Sequence, residues 1–150
     1  MRIHNKTAYD LTPLFNAALE GFDHSGLMVE VKYCPAGSCR YISGTYYREA
    51  PDFPQGKLIR LRINRTNKYP LKVAFKTSEY FTRRDKKGRE VTYQKLRYEE
   101  FHTPERLALA IFLHEFSHYI DHMEGKNGRY KQTKADKFSV ERMRALGLVK

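Results

Sequence analysis

The chain has 150 residues, the usual size of one domain, and its hydrophobic and aromatic contents of 41% and 13% exclude a disordered chain. No apolar run reaches the roughly 18 residues that a membrane-spanning helix needs. The formal net charge of +11 favours polyanionic partners such as nucleic acid or an acidic protein, although a basic solvated surface explains it equally well. We therefore expect a single domain over residues 1–150.

The first residues and the cysteines bear on the compartment. The charges near Met1 have no apolar stretch behind them, so we expect no secretory signal there and a cytoplasmic location. Cys34 and Cys39 flank a predicted turn that contains Pro, Gly and Ser. The pair can close a disulfide or supply half of a metal site, but a reducing compartment favours two free thiols.

The N-terminal half predicts one helix followed by strands. Apolar residues recur at helical spacing over residues 8–22. Leu27–Tyr33 alternates between apolar and polar residues, and residues 40–47 are rich in Tyr, Ile and Thr. We expect these two segments to be strands that pair as a hairpin around the cysteine turn. Prolines and a glycine in residues 49–56 predict a loop.

Further strands follow this loop. Residues 58–65 alternate between aliphatic and basic or polar side chains, which predicts a strand with one buried face and one basic face. A similar alternation begins at Leu71 and continues to a strand end near Thr82. The charged segment 85–89 predicts a turn into another strand over residues 91–98.

Two helices complete the predicted order. Thr103 can cap the first, Pro104 suits its first position, and nothing breaks the helical pattern over residues 105–123. A glycine-containing turn precedes the last helix, predicted over residues 131–146 with Gly147 as its terminator. One helix, mostly antiparallel strands and then two helices indicate an α+β fold.

The long helix carries the sequence His-Glu-Phe-Ser-His at residues 114–118. Residues four apart lie on one face of a helix, so the imidazoles of His114 and His118 can both approach one zinc ion. Glu115 can reach a water molecule on that ion without binding the ion itself. Zinc lowers the pKa of such a water toward ~7, and a carboxylate can take its proton as the water attacks a carbonyl. The pattern therefore predicts a zinc-dependent hydrolase with Glu115 as general base.

The surroundings of the motif support this interpretation. Residues 107–113 are apolar on almost every side of the helix, so we expect the helix to be buried. Buried histidines and a buried glutamate are costly without a partner, and a metal ion supplies one. The alternative is a polar stripe of Glu115, His118 and His122 that faces solvent. His122 would stretch a three-ligand set over ~12 Å of straight helix, so we expect it to be a surface or supporting residue.

With this motif on a buried helix, the chain resembles the zincin metallopeptidases, and within them minimal gluzincin-like or SprT-like members. The resemblance covers the strand at residues 58–65, the motif helix and the helix after it. It implies a zincin-like fold in which a mixed or antiparallel sheet packs on the motif helix. It also implies one bound Zn²⁺ and a peptide or protein substrate. The 58–65 segment is the candidate for the edge strand that receives the substrate chain.

A catalytic zinc ion usually takes a third protein ligand. In minimal gluzincins the following helix carries a pattern like E-x-x-A-D-x-F, in which the Glu binds zinc and the Asp supports a histidine. This chain matches the pattern at Ala135, Asp136 and Phe138 but has Gln132 at the ligand position. A neutral amide is a poor zinc ligand, so this departure leaves the third ligand open.

We expect Asp136 to be the third metal ligand. In one alternative, Asp136 instead accepts the ring proton of His114 or His118, since ligating histidines usually need such a partner. In the others, Glu141 binds the metal or the ion is weakly held. Tyr119 and Tyr130 lie near enough in sequence to donate a hydrogen bond to an oxyanion, although most tyrosines suit half-buried sheet positions.

A second functional hypothesis is a basic nucleic-acid-associated module in which the zinc site is structural or degenerate. Its surface would combine basic residues of the strands and the charged turn with nearby tyrosines for stacking. These basic residues are Arg60, Arg62, Arg65, Lys68, Arg83, Arg84, Lys86, Lys87 and Arg89.

Overall fold

The computed structural model describes residues 1–50, 52, 56–126 and 128–150. Its elements are β1 (Arg2–Asn5), α1 (Thr12–Ala18), β2 (Leu27–Tyr33), β3 (Ile42–Tyr47), β4 (Lys57–Ile63), β5 (Leu71–Arg84), β6 (Glu90–Phe101), α2 (Pro104–Met123) and α3 (Lys131–Ala145). The predicted α+β class is confirmed. Residues 51 and 53–55 of the predicted loop lie outside the described residues. The short strand β1 was not predicted, because four residues are too few for a period-2 pattern to stand out.

The larger sheet has the strand order β1-β2-β4-β3. β1, β2 and β4 are parallel, and only β3 is antiparallel to its neighbour. The predicted hairpin of β2 and β3 is therefore wrong, and so is the prediction of a mostly antiparallel sheet. β2 has three successive buried residues, Val29, Glu30 and Val31, which suits a strand with neighbours on both sides. β3 contains no buried residue and lies at the edge.

The helix α2 lies at the centre of the hydrophobic core. Nearly all of its residues between Leu107 and Phe116 are buried, and the ring of Phe112 stacks on Phe15 of α1 with their centroids 4.3 Å apart. Burial of one such side chain stabilises the fold by about 1.5–3 kcal/mol. The hydroxyl of Ser139 on α3 donates to the carbonyl of Ala110 at 2.6 Å, which joins the two helices. No described helix has both the length and the apolarity to cross a bilayer.

β5 and β6 form a separate two-stranded antiparallel ribbon. Its inner half buries Phe75 and Phe101, and α3 packs against β5. Both strands were predicted, and both are longer than the predicted segments. The register shifts between Lys76 and Tyr80, and beyond this irregularity the ribbon is almost entirely exposed.

The polar face of β4 is organised around one buried carboxylate. Glu30 of β2 is 5% exposed and accepts hydrogen bonds from Arg60 at 2.6 Å and Lys6 at 3.1 Å, while Lys32 lies 3.5 Å away. Burial alone would raise the pKa of Glu30, but the hydrogen bonds and the three cations outweigh it and lower the pKa to about 2. Part of the predicted basic face is therefore neutralised inside the protein.

We predict that Glu30 makes the fold sensitive to acid. The pKa of Glu30 falls on folding from 4.5 to about 2, so the ionised carboxylate stabilises the fold above pH 4.5 by about 3 kcal/mol. This contribution is lost as the pH falls from 4.5 toward 2. Glu30→Gln should lower the free energy of unfolding at pH 7 and flatten its slope in that window, measured by urea denaturation. An unchanged slope would contradict the prediction, and Glu20→Gln on the exposed surface is the control.

Candidate metal centre

The motif helix α2 begins as the sequence predicts. The Thr103 side chain caps it by accepting a hydrogen bond from the backbone N–H of Arg106 at 3.3 Å, and Pro104 occupies its first position. His114, Glu115 and His118 therefore lie on a continuous helix. The buried core residues before them fix the rotation of the helix and place the motif at the boundary between core and surface.

The two histidines of the motif converge on one point. Their Nε2 atoms lie 3.3 Å apart, and their ring planes meet at 79°. Two nitrogens bound to a tetrahedral zinc ion at ~2.0–2.1 Å are separated by about 3.3–3.4 Å. The spacing of these donors fits a zinc ion.

Asp136 of α3 lies behind His114. The Nδ1–H of His114 donates to Asp136 Oδ1 at 2.6 Å, and Asp136 Oδ2 accepts the backbone N–H of Lys76 at 2.7 Å. Both carboxylate oxygens are thus engaged on the side of the ring away from the two Nε2 atoms. These contacts correspond to the supporting alternative for Asp136 and leave Nε2 of His114 as the electron-pair donor.

Gln132 lies one helical turn before Asp136 and reaches the other nitrogen of the same ring. Its Oε1 is 2.9 Å from His114 Nε2. Three donors, from His114, His118 and Gln132, therefore lie together. Glu141 is exposed and 3.8 Å from Lys137, outside this cluster. Within the described ranges, no group of three or more His, Cys, Asp or Glu side chains is placed to hold a metal ion.

The pKa values of the two histidines shift in opposite directions. Burial alone would lower the pKa of His114, but the hydrogen bond and charge of Asp136 outweigh it and raise the pKa. Burial and the neighbouring His114 lower the pKa of His118. His118 is thus the readier electron-pair donor at neutral pH, while a metal must compete with a proton for His114.

Glu115 faces β3 and is 9% exposed. Burial raises the pKa of Glu115, although the charge of His114 and the backbone N–H of Tyr46 oppose this rise. A carboxylate with a raised pKa holds a proton more readily, which suits a general base. Gly44 of β3 packs directly on the same side chain, because a Cβ atom there would lie 2.8 Å from Glu115 Cγ.

A cleft of about 450 Å³ opens beside Glu115 and His118. It is lined by β3, by the C-terminal half of α2 and by the start of α3, through Gly44, Thr45, Tyr46, Arg48, Glu115, His118, Asp121, His122, Lys126, Lys131 and Gln132. The predicted edge strand at residues 58–65 is wrong, because β4 lies between β2 and β3. β3 is the edge strand next to the motif helix.

Tyr46 and His122 form a pair in this cleft that the sequence did not predict. The Tyr46 hydroxyl lies 2.7 Å from His122 Nδ1, and burial together with Tyr119 raises the pKa of Tyr46 to about 12. Of the two tyrosines predicted as oxyanion donors, Tyr119 is buried and donates to the carbonyl of Ser25, and Tyr130 is 71% exposed. Neither lines the cleft.

Comparisons with known proteins do not assign this site. No protein-family model, curated protein or solved structure matches the chain.

We predict that Gly44→Ala disturbs the site from the opposite side of the cleft. The added Cβ would meet Ile111 Cγ2 at 2.6 Å and Glu115 Cγ at 2.8 Å, so Glu115 must shift. The free energy of unfolding should fall by about 1–3 kcal/mol, as for other overpacked sites. Gly56→Ala is the control, since its nearest neighbour is 3.8 Å away. Equal urea midpoints for the two variants would contradict the close approach of β3 and α2.

Proposed function

We propose that the protein is a zinc-dependent metallopeptidase with a zincin-like arrangement of its site. In this proposal His114, His118 and Gln132 hold the metal, Asp136 orients His114, and Glu115 is the general base. The observation that carries it is the pair of Nε2 atoms 3.3 Å apart, with Glu115 and His118 lining the same cleft. Gln132 is thus the third metal ligand in this proposal, a role for which the sequence favoured Asp136.

The position of Gln132 supports this choice in spite of its chemistry. Its amide oxygen is 2.9 Å from His114 Nε2, whereas both oxygens of Asp136 already accept hydrogen bonds elsewhere. An amide oxygen is a weaker ligand than a carboxylate, so we expect this site to bind zinc less tightly than one with a Glu at the same position.

A bound zinc ion would supply a Lewis acid that polarises a peptide carbonyl and lowers the pKa of water toward ~7. Glu115 takes the proton of the attacking water on its carboxylate and passes it to the nitrogen of the leaving amine. Burial excludes competing solvent from this carboxylate, and its raised pKa brings it closer to the pKa of the water.

Tyr46 is the candidate for stabilising the oxyanion that forms when the carbonyl is attacked. With the proton of His122 on Nδ1, the ring donates to the Tyr46 oxygen and leaves the phenol proton for the oxyanion. Burial, Arg48 and Lys57 lower the pKa of His122, which favours the neutral ring that this role needs.

The substrate in this proposal is a peptide or protein segment in extended form. β3 pairs with β4 on one side only, so its other edge can offer main-chain hydrogen bonds beside the cleft. We also propose a cytoplasmic location, where Cys34 and Cys39 would stay reduced.

The decisive test separates metal binding from hydrolysis. Purified protein should contain about one zinc per chain by mass spectrometry of the metal and should cleave an unfolded protein such as casein. Glu115→Gln should keep the zinc and lose activity by about 10²-fold or more, because the base is removed and the ligands are not. His118→Ala should lose both. A refolded wild-type chain that carries no metal in excess zinc would overturn the proposal.

A second test identifies the third ligand. Gln132→Glu should tighten zinc binding, because a carboxylate replaces an amide, and Asp136→Asn should weaken it about 10–100-fold through loss of the His114 support. Competition with a chelating dye measures both changes. If Asp136 itself is the ligand, Gln132→Glu should leave the affinity unchanged. Glu141→Gln, on the exposed part of α3, is the matched control.

A further inference from the structure

The outer half of the β5–β6 ribbon, here called the outer arm (residues 80–94), is a surface that the proposed peptidase site does not use. It is a paired ribbon with register Tyr80↔Gln94 to Arg84↔Glu90. Its tip is held closed by Asp85, which accepts the backbone N–H groups of Lys87 and Arg89 at 2.8 and 2.9 Å. The arm is therefore a defined structure that presents its side chains to solvent.

The outer arm carries five basic residues and two acidic ones. Arg89 is paired with Asp85 at 2.8 Å. In the part of the chain that the structure describes, the other four, Arg83, Arg84, Lys86 and Lys87, have no carboxylate partner. Elsewhere in the predicted basic set, Arg60 binds Glu30 and Asp52, and the Arg65 guanidinium lies 3.9 Å above the Tyr33 ring. Four cations of that set without a carboxylate partner among the described residues thus lie together at the tip of the arm.

Aromatic rings lie beside these cations. Phe81 and Tyr93 face each other across the ribbon with centroids 5.7 Å apart, and they are 38% and 45% exposed. The guanidinium of Arg83 lies 4.9 Å from the centre of the Phe81 ring. Tyr80 is 52% exposed and lies on the other face of the ribbon. Exposed apolar groups that cluster together, as these do, are typical of binding surfaces.

We propose that the outer arm binds nucleic acid, with its cations at phosphates and its rings against bases or sugars. Free cations match the phosphate backbone, and exposed aromatic rings stack on bases of any sequence. A two-stranded ribbon also fits the major groove of a duplex, which is ~12 Å wide. A second copy of the chain is a poorer occupant, because two such tips would bring like charges together.

The test uses fluorescence anisotropy with a labelled mixed-sequence oligonucleotide, as duplex and as single strand, in a chelator so that metal plays no part. The triple variant Arg84→Ala, Lys86→Ala, Lys87→Ala should weaken binding at least 10-fold and lower the salt slope by about two to three. A control triple removes the same charge elsewhere, at Arg2, Arg40 and Lys150, which are exposed and outside the arm. It should change the affinity less than about 2-fold.

A matched pair of variants tests how much the aromatic rings contribute to oligonucleotide binding. Tyr93→Ser should weaken binding, whereas Tyr98→Ser, at an exposed ring on the inner half of the ribbon, should not. Circular dichroism confirms that each variant is folded. Whichever oligonucleotide form binds more tightly identifies the ligand. Equal losses for the two triple variants, no binding at low salt, or self-association through the arm without oligonucleotide binding would each overturn the proposal, and none of these outcomes bears on the peptidase.

Discussion

The carboxylate of Asp136 is the contact on which the proposed site depends. It joins three parts of the chain, since Asp136 belongs to α3, His114 to α2 and the Lys76 amide to β5. A buried carboxylate with only one of these partners would be costly, and with both it is satisfied. The same contact fixes which nitrogen of His114 carries a proton, and therefore which nitrogen is available to a metal.

The sequence predicted the parts of the molecule that depend on local pattern. The helix α2, its Thr103 cap and the motif at residues 114–118 follow from neighbouring residues, and they are found where predicted. Strand pairing depends on partners distant in the chain, and here the pattern was insufficient. β2 and β3 are adjacent in sequence, yet β4 lies between them and pairs with both.

The proposed third ligand, Gln132, and the proposed oxyanion donor, Tyr46, could not be predicted for a related reason. Gln132 is an unfavourable zinc ligand by chemistry alone, and its nearness to His114 follows from how α3 packs on α2. Tyr46 lies on an edge strand more than 60 residues before the motif, and only the packing of β3 on α2 brings its hydroxyl to His122. Positions of this kind are set by tertiary contacts, which no spacing rule contains.

The distribution of charge separates the protein into two regions. Lys6 and Arg60 pair with the buried carboxylate of Glu30, and these contacts contribute to stability. In the outer arm they remain exposed beside aromatic rings and contribute little to the fold. A net charge of +11 therefore describes two different physical situations, and a structure is needed to distinguish them.

The hydrogen bond from position 76 to Asp136 comes from a peptide group and not from a side chain. Every amino acid except proline carries this donor. Substitutions other than proline at position 76 can therefore change the surface of β5 and still preserve the orientation of the His114 imidazole. A residue with no chemistry of its own can thus be indispensable through its main chain, and variation at such a position would conceal its role.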